Sequence, residues 1–97
     1  MENYPNKKAK ELMSAIAKLE TTDEAVRFFR DLLTPPEINE FANRFQIAKR
    51  VYQGKSYAEI AKELGVSTTT VTRVALWLNH GMDGYRLILD RLMKKKP

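Results

Sequence analysis

The 97-residue chain contains no cysteine, which removes disulfide staples, thiolate metal sites and cysteine nucleophiles from consideration. It has a single histidine, His80, so neither an imidazole metal site nor a histidine-based acid–base dyad is expected. Glycine and proline number only four each, and the apolar residues do not alternate as they would in half-buried strands. No apolar run approaches the roughly 20 residues that a membrane span needs. The polar opening MENYPNKKAKE also lacks the hydrophobic stretch of a signal peptide, so a reducing cytoplasm is the expected compartment, with no membrane partner. With 43% hydrophobic and 30% charged residues, the chain has the composition of one globular domain with a modest core.

The charge is unevenly divided. Residues 1–33 balance Lys7, Lys8, Lys10, Lys18, Arg27 and Arg30 against Glu2, Glu11, Glu20, Asp23, Glu24 and Asp31, so the whole formal charge of +5 lies in residues 34–97. A neutral N-terminal third and a basic remainder suggest assembly by the first part and contact with a polyanion by the second.

Helical periodicity runs through the chain. Leu12, Ile16 and Leu19 predict an amphipathic helix from about Asn6 to Leu19. Thr21 and Glu24 form a capping-box pattern that opens a second helix, with Ala25, Phe28, Phe29, Leu32 and Leu33 inward. Thr34-Pro35-Pro36-Glu37 repeats the device, with Pro35 where a missing amide is harmless. The third helix carries Ile38, Phe41, Phe45, Ala48 and Tyr52 on one stripe and stops at Gly54. These helices hold more large apolar surface than a small three-helix unit hides, which predicts packing both on the C-terminal half and on a second chain.

From Lys55 the texture changes to KSYAEIAKELGVSTTTVTRVALWL. Ser56 and Glu59 make a third capping box, Gly65 ends the short helix it opens, and Ser67 caps the next. Two short helices joined by a tight glycine-containing turn are a helix-turn-helix unit. Ile60, Leu64, Val66, Val71 and Val74 fill its apolar seam, and Ala61 is small where the helices cross. Ser67, Thr68, Thr69, Thr72 and Arg73 are left on the outer face of the second helix. An ordinary solvated helix favours Glu, Lys or Ala over a threonine run. Short hydroxyls and a guanidinium suit a DNA major groove, so a DNA-facing role is read here in preference to a merely solvated one.

The stretch LLTPPEINEFANRFQIAKRVYQGKSYAEIAKELGVSTTTVTRVALWLN resembles the tryptophan repressor family, in particular its YerC/YecD-type branch, over residues 32–93. The Leu-Thr-Pro start of the third helix, Glu-Leu-Gly before the turn and Thr-Val-Thr-Arg in the second helix of the unit carry the likeness. The resemblance implies an all-α, six-helix fold in a single domain and an intertwined homodimer. Residues 1–54 would mainly supply dimerisation helices, 55–80 the helix-turn-helix, and 81–97 a last dimerisation helix with a basic tail. The protein is thereby expected to be a transcriptional regulator, most simply a repressor, that binds double-stranded DNA at a palindromic operator. The DNA-binding set is Ser56 and Lys62 from the first helix of the unit, with Ser67, Thr68, Thr69, Thr70, Thr72 and Arg73 from the turn and second helix.

No cofactor is expected, but the resemblance brings L-tryptophan or a similar small effector as a candidate ligand. In tryptophan-responsive members the ligand's indole lies between two arginines, matched by Arg44 and Arg73, and a threonine matched by Thr34 contributes to the pocket. A glycine of those members is matched by Val74, and the serine that binds the ligand's amino group by Trp77. Two readings of Trp77 follow: its indole occupies the pocket and locks the reading heads without effector, or it is a core aromatic. Basic residues that touch the operator in the family are matched by Ala58 and Ala61, with Lys55, Lys62 and helix-opening amides as substitutes. That departure keeps open an alternative, a dimeric adaptor that no longer binds a specific operator.

The remaining features have plainer readings. His80 falls at a helix C-terminus, Asp83 is placed to cap the last helix, and Tyr85, Ile88, Leu89 and Leu92 form that helix's inner stripe. Lys94, Lys95 and Lys96 read as a solvated tail. The carboxylate pairs Glu37/Glu40 and Glu59/Glu63 fall on capping or outer positions, and catalysis would need a pocket that shifts their pKa. No nucleophile–base pair or metal constellation can be assembled, so an enzymatic role is not expected.

Overall fold

The computed structural model describes Asn3–Lys94 as six α-helices with no strand among the described residues: α1 (Lys7–Ile16), α2 (Thr22–Leu32), α3 (Pro35–Tyr52), α4 (Tyr57–Leu64), α5 (Thr68–His80) and α6 (Gly84–Met93). Their contacts group into two compact units, residues 1–38 and 39–97. The all-α expectation is met. Lys95 and Lys96 of the expected basic tail lie outside the described residues.

In the N-terminal unit, the side chain of Asn6 caps α1 by accepting from the Ala9 amide at 2.8 Å. The helix ends at Ile16, three residues short of the expected Leu19. Lys18 and Leu19 donate instead to Ala15 and Ile16 at 3.0 Å, the tighter spacing of a closing turn. That early stop leaves room for the next cap: Thr21 accepts from the Glu24 amide, while the Glu24 carboxylate takes the amide of Glu20, one residue earlier than the usual reciprocal partner. Thr34 and Glu37 form the complete box at the start of α3, with the Thr34 amide and hydroxyl both donating to Glu37 at 2.9 Å. These bonds hold the Glu37 carboxyl below its ordinary value. No residue of α1 or α2 is buried. Phe28 and Phe29 meet edge to face at 5.5 Å and are only half-covered.

The C-terminal unit is built around Ile47 and Ala48 of α3, Ile60 of α4, Val71, Val74 and Leu78 of α5, and Leu89 of α6. Burying each larger aliphatic side chain is worth about 1.5–3 kcal/mol, so this seam supplies most of what holds α4 and α5 together. Polar ties add direction. Arg50 donates to the Gln46 side chain at 2.6 Å and stands 3.7 Å from Glu63, which also pairs with Lys55 at 3.4 Å, joining α3 to α4.

Two expectations for α6 are corrected. Asp83 occupies the position before the helix but makes no capping bond, because its backbone is left-handed (φ 64°, ψ 10°) where a capping side chain needs extended backbone. On the expected inner stripe Leu89 is fully buried, whereas Ile88 and Leu92 are 40% and 64% exposed. A helical stripe fixes which residues share a face, and only the buried part of this one meets α3–α5 within the chain.

Candidate nucleic-acid interface

The reading unit is assembled by local chemistry. Ser56 opens α4, its hydroxyl accepting from the Glu59 amide and donating to the Glu59 carboxylate, both at 3.1 Å. Gly65 closes α4 in the left-handed conformation (φ 67°, ψ 35°), which a side chain would strain. The amide of the following Val66 returns to the Ala61 carbonyl at 3.0 Å. Ser67 then caps α5 by accepting from the Thr70 amide at 3.1 Å, with the two hydroxyls 2.9 Å apart.

The turn sets the roll of α5 so that Val71, Val74, Ala75 and Leu78 point into the core. Ser67, Thr68, Thr69, Thr72 and Arg73 remain exposed. Thr70 is half-buried, and its hydroxyl is held by Ser67 at the side of this face. The Thr72 hydroxyl donates to the Thr68 carbonyl at 2.9 Å. Thr69 and Arg73 make no side-chain hydrogen bond or ion pair among the described residues, so their donors stay available. Ser56 and Lys62 are exposed on α4. Ala58 is exposed as well, whereas Ala61 is half-covered against the core, where a longer basic side chain would not fit without displacement.

The residues expected around an effector are shared between the two units. Thr34 belongs to the N-terminal unit, where its hydroxyl is committed to Glu37. Arg44 of α3 and Trp77 of α5 come together: the guanidinium carbon lies 5.6 Å from the centre of the Trp77 ring and 5.7 Å from that of Phe41. Glu40, one turn earlier on α3, pairs with Arg44 at 3.4 Å. Trp77 is 40% exposed and is therefore not part of the core within this one chain. It also borders an open apolar depression of about 450 Å³ with Gly81, Met82, Gly84 and Tyr85. Burial pushes the Tyr85 phenol up, with the charge of Arg44 pulling it back. Phe41 and Glu40 were absent from the expected set, although their spacing of three and four residues from Arg44 on one helix is the signal that finds them.

The other features resolve simply. His80 lies in the last turn of α5, and Glu37, Glu40, Glu59 and Glu63 are each engaged in a cap or an ion pair. Among the described residues, no cluster of three His, Asp or Glu side chains is placed to hold a metal, and no helix is long and apolar enough to cross a membrane.

Comparison with known proteins adds the lineage. The Trp repressor protein family model matches residues 7–93. The YerC protein of Bacillus subtilis is 40% identical over 86 residues, covering 89% of this chain and 83% of that protein. A TrpR-like protein from Eubacterium eligens superposes with a TM-score of 0.88 at 35% identity, over all of both chains. A putative Trp repressor from Staphylococcus aureus gives 0.86 at 41% identity, over 99% of this chain and 96% of that one. A helix-turn-helix between capped ends, an all-helical frame and a match over nearly the whole length together place this chain in the Trp repressor family.

Proposed function

We propose that the chain is a homodimeric, sequence-specific transcriptional regulator, acting as a repressor in the cytoplasm by covering a palindromic operator. Membership of the Trp repressor family gives the broad kind, a helix-turn-helix DNA-binding regulator. The observation that carries the finer reading is the roll of α5, which buries its valines and leaves Thr68, Thr69 and Arg73 open at the N-terminal half of the helix. A threonine hydroxyl and methyl read base edges, an arginine takes guanine or a phosphate, and the free amides opening α5 favour a phosphate oxygen. Two such helices related by a two-fold axis read half-sites roughly one helical turn apart, about 34–36 Å.

The homodimer is supported by α1 and α2. Two amphipathic helices without one buried residue cannot be stabilised by their own packing, and Val26 and Leu32 stand 62% and 45% exposed. A second copy of the chain is the partner that covers this surface in our reading. The neutral charge of the N-terminal third suits that role.

The test is a selection on fragmented genomic DNA near physiological salt, run with and without L-tryptophan. Enrichment of a palindromic site supports the regulator. Equal enrichment in both arms means that L-tryptophan is not required, whereas enrichment only with L-tryptophan assigns it as the effector. If no sequence is enriched in either arm, the adaptor alternative, for which Ala58 and Ala61 speak, replaces the regulator.

A further inference from the structure

We propose that the Trp77 indole is a built-in occupant of the cationic site at Arg44, bracing the reading helix with a group of its own chain in place of a dissociable planar ligand. The consequence for DNA binding rests on the reading of α5 as the DNA-facing helix; the occupancy itself does not.

Arg44 is a prepared site for a flat, electron-rich ring. It stands one turn before Ile47 and Ala48, which are fixed in the core, so its backbone is held. Glu40 at 3.4 Å takes part of its hydrogen-bonding edge, and Phe41 at 5.7 Å supplies one ring. The Trp77 ring at 5.6 Å completes the set from another helix. Indole is the strongest of the aromatic side chains as a partner for a guanidinium. An indole left 40% in solvent is held poorly by burial alone, so the guanidinium is what gives this ring a defined place.

The position along α5 gives the contact its effect. Trp77 lies one turn after Arg73, and side chains four residues apart on a helix share a face. A helical side chain leans toward the N-terminus, so the indole covers the turn that carries Arg73. Arg44 on α3 thereby holds a ring on the same face of α5 that carries Arg73. The same ring already stands against Arg44 on the side where a free planar molecule would have to compete with it.

The experiment is chemical rescue of Trp77→Gly with indole as the probe. The expected result is a lower melting temperature for the variant and roughly tenfold weaker binding to the selected DNA, both largely restored by millimolar indole. Wild-type protein should respond to neither indole nor L-tryptophan. The proposal is overturned if indole leaves the variant's melting temperature unmoved, or if either compound raises that of the wild type. Should Trp77→Gly fail to fold, Arg44→Gln decides the matter, because Trp77 is the only tryptophan and its fluorescence reads this ring alone. A red-shifted emission with increased acrylamide quenching supports the brace, and an unchanged spectrum overturns it. If the wild type selects no DNA, the regulator reading falls, while the melting and fluorescence arms still decide whether the indole is an occupant.

Discussion

The phenolic hydroxyl of Tyr52, in the last turn of α3, donates to the Asp90 carboxylate of α6 at 2.5 Å. Lys94 pairs with the same carboxylate at 3.5 Å, and Arg86, beside them on α6, donates to Asn79 of α5 at 2.9 Å. One small network thus ties α6 to both α3 and α5, beside the apolar contact of Leu89.

This network makes stability depend on pH. The bond from Tyr52, helped by Lys94 and Arg86, holds the Asp90 carboxyl below its ordinary value of 3.8. A group lowered in the folded state contributes stability that is present above its unfolded pKa and is lost as pH falls through its folded one. The Tyr52 phenol is raised above 10.0, chiefly by Asp90, so its contribution is present below that pH and is lost as pH rises through the folded value. Thermal melts across pH should therefore show both an acid and an alkaline decline. Asp90→Asn should flatten part of the acid limb, where Glu37 keeps its own share through Thr34, and Tyr52→Phe part of the alkaline limb. Unchanged limbs in these variants would show that the network does not couple to folding.

The reading face predicts two kinds of loss. Arg73→Ala should weaken binding to the selected operator roughly tenfold to a hundredfold, and Thr69→Ala should do so only for sites that keep its preferred base. Lys62→Ala should instead weaken all sequences alike and lower the salt dependence by about one phosphate contact. Binding titrations over a series of salt concentrations and single-base operator variants separate the two. Equal, small effects from all three substitutions would mean that α5 does not read the bases.

What could be read from the sequence was mostly local. Thr21, Thr34, Ser56 and Ser67 announced four of the helix starts because a capping side chain bonds an amide three residues away, whereas the cap at Asn6 emerged only in the structure. Gly65 and the seam of Ile60, Val71 and Val74 were equally plain, since turn chemistry and helical spacing fix them. Asp83 misled because capping also needs an extended backbone, and the backbone of Asp83 is left-handed. Ile88 and Leu92 misled because periodicity shows an apolar face without showing what covers it. The Tyr52–Asp90 bond joins helices far apart in the chain, and no spacing rule reaches across them. Arg44 and Trp77 were legible only through the family likeness, and their direct contact only in the structure.

The exposed faces of α1 and α2 lead to a prediction about assembly. Sedimentation should give a particle of twice the chain mass, with a melting temperature that rises with protein concentration. Val26→Glu places a charge on the most exposed apolar position of α2 and should shift the protein to a monomer that melts lower and independently of concentration. A wild type that is monomeric at high concentration would overturn the dimer.

Gly81 tests how tightly the end of α5 is closed. Its amide donates to the Trp77 carbonyl at 2.9 Å, and a β-carbon built on it would clash with that same oxygen. The clash is with backbone, so no side-chain rotation relieves it; the last turn of α5 must open. Gly81→Ala should therefore destabilise the fold by about 1–3 kcal/mol, as overpacking does elsewhere, measured by urea unfolding. Gly84→Ala is the matched control, because nothing lies near its added methyl and it sits at the start of a helix. It should be neutral or slightly stabilising, since alanine favours the helix. Because the strained carbonyl belongs to Trp77, the Gly81 variant should also disturb the fluorescence of that ring, and the control should not.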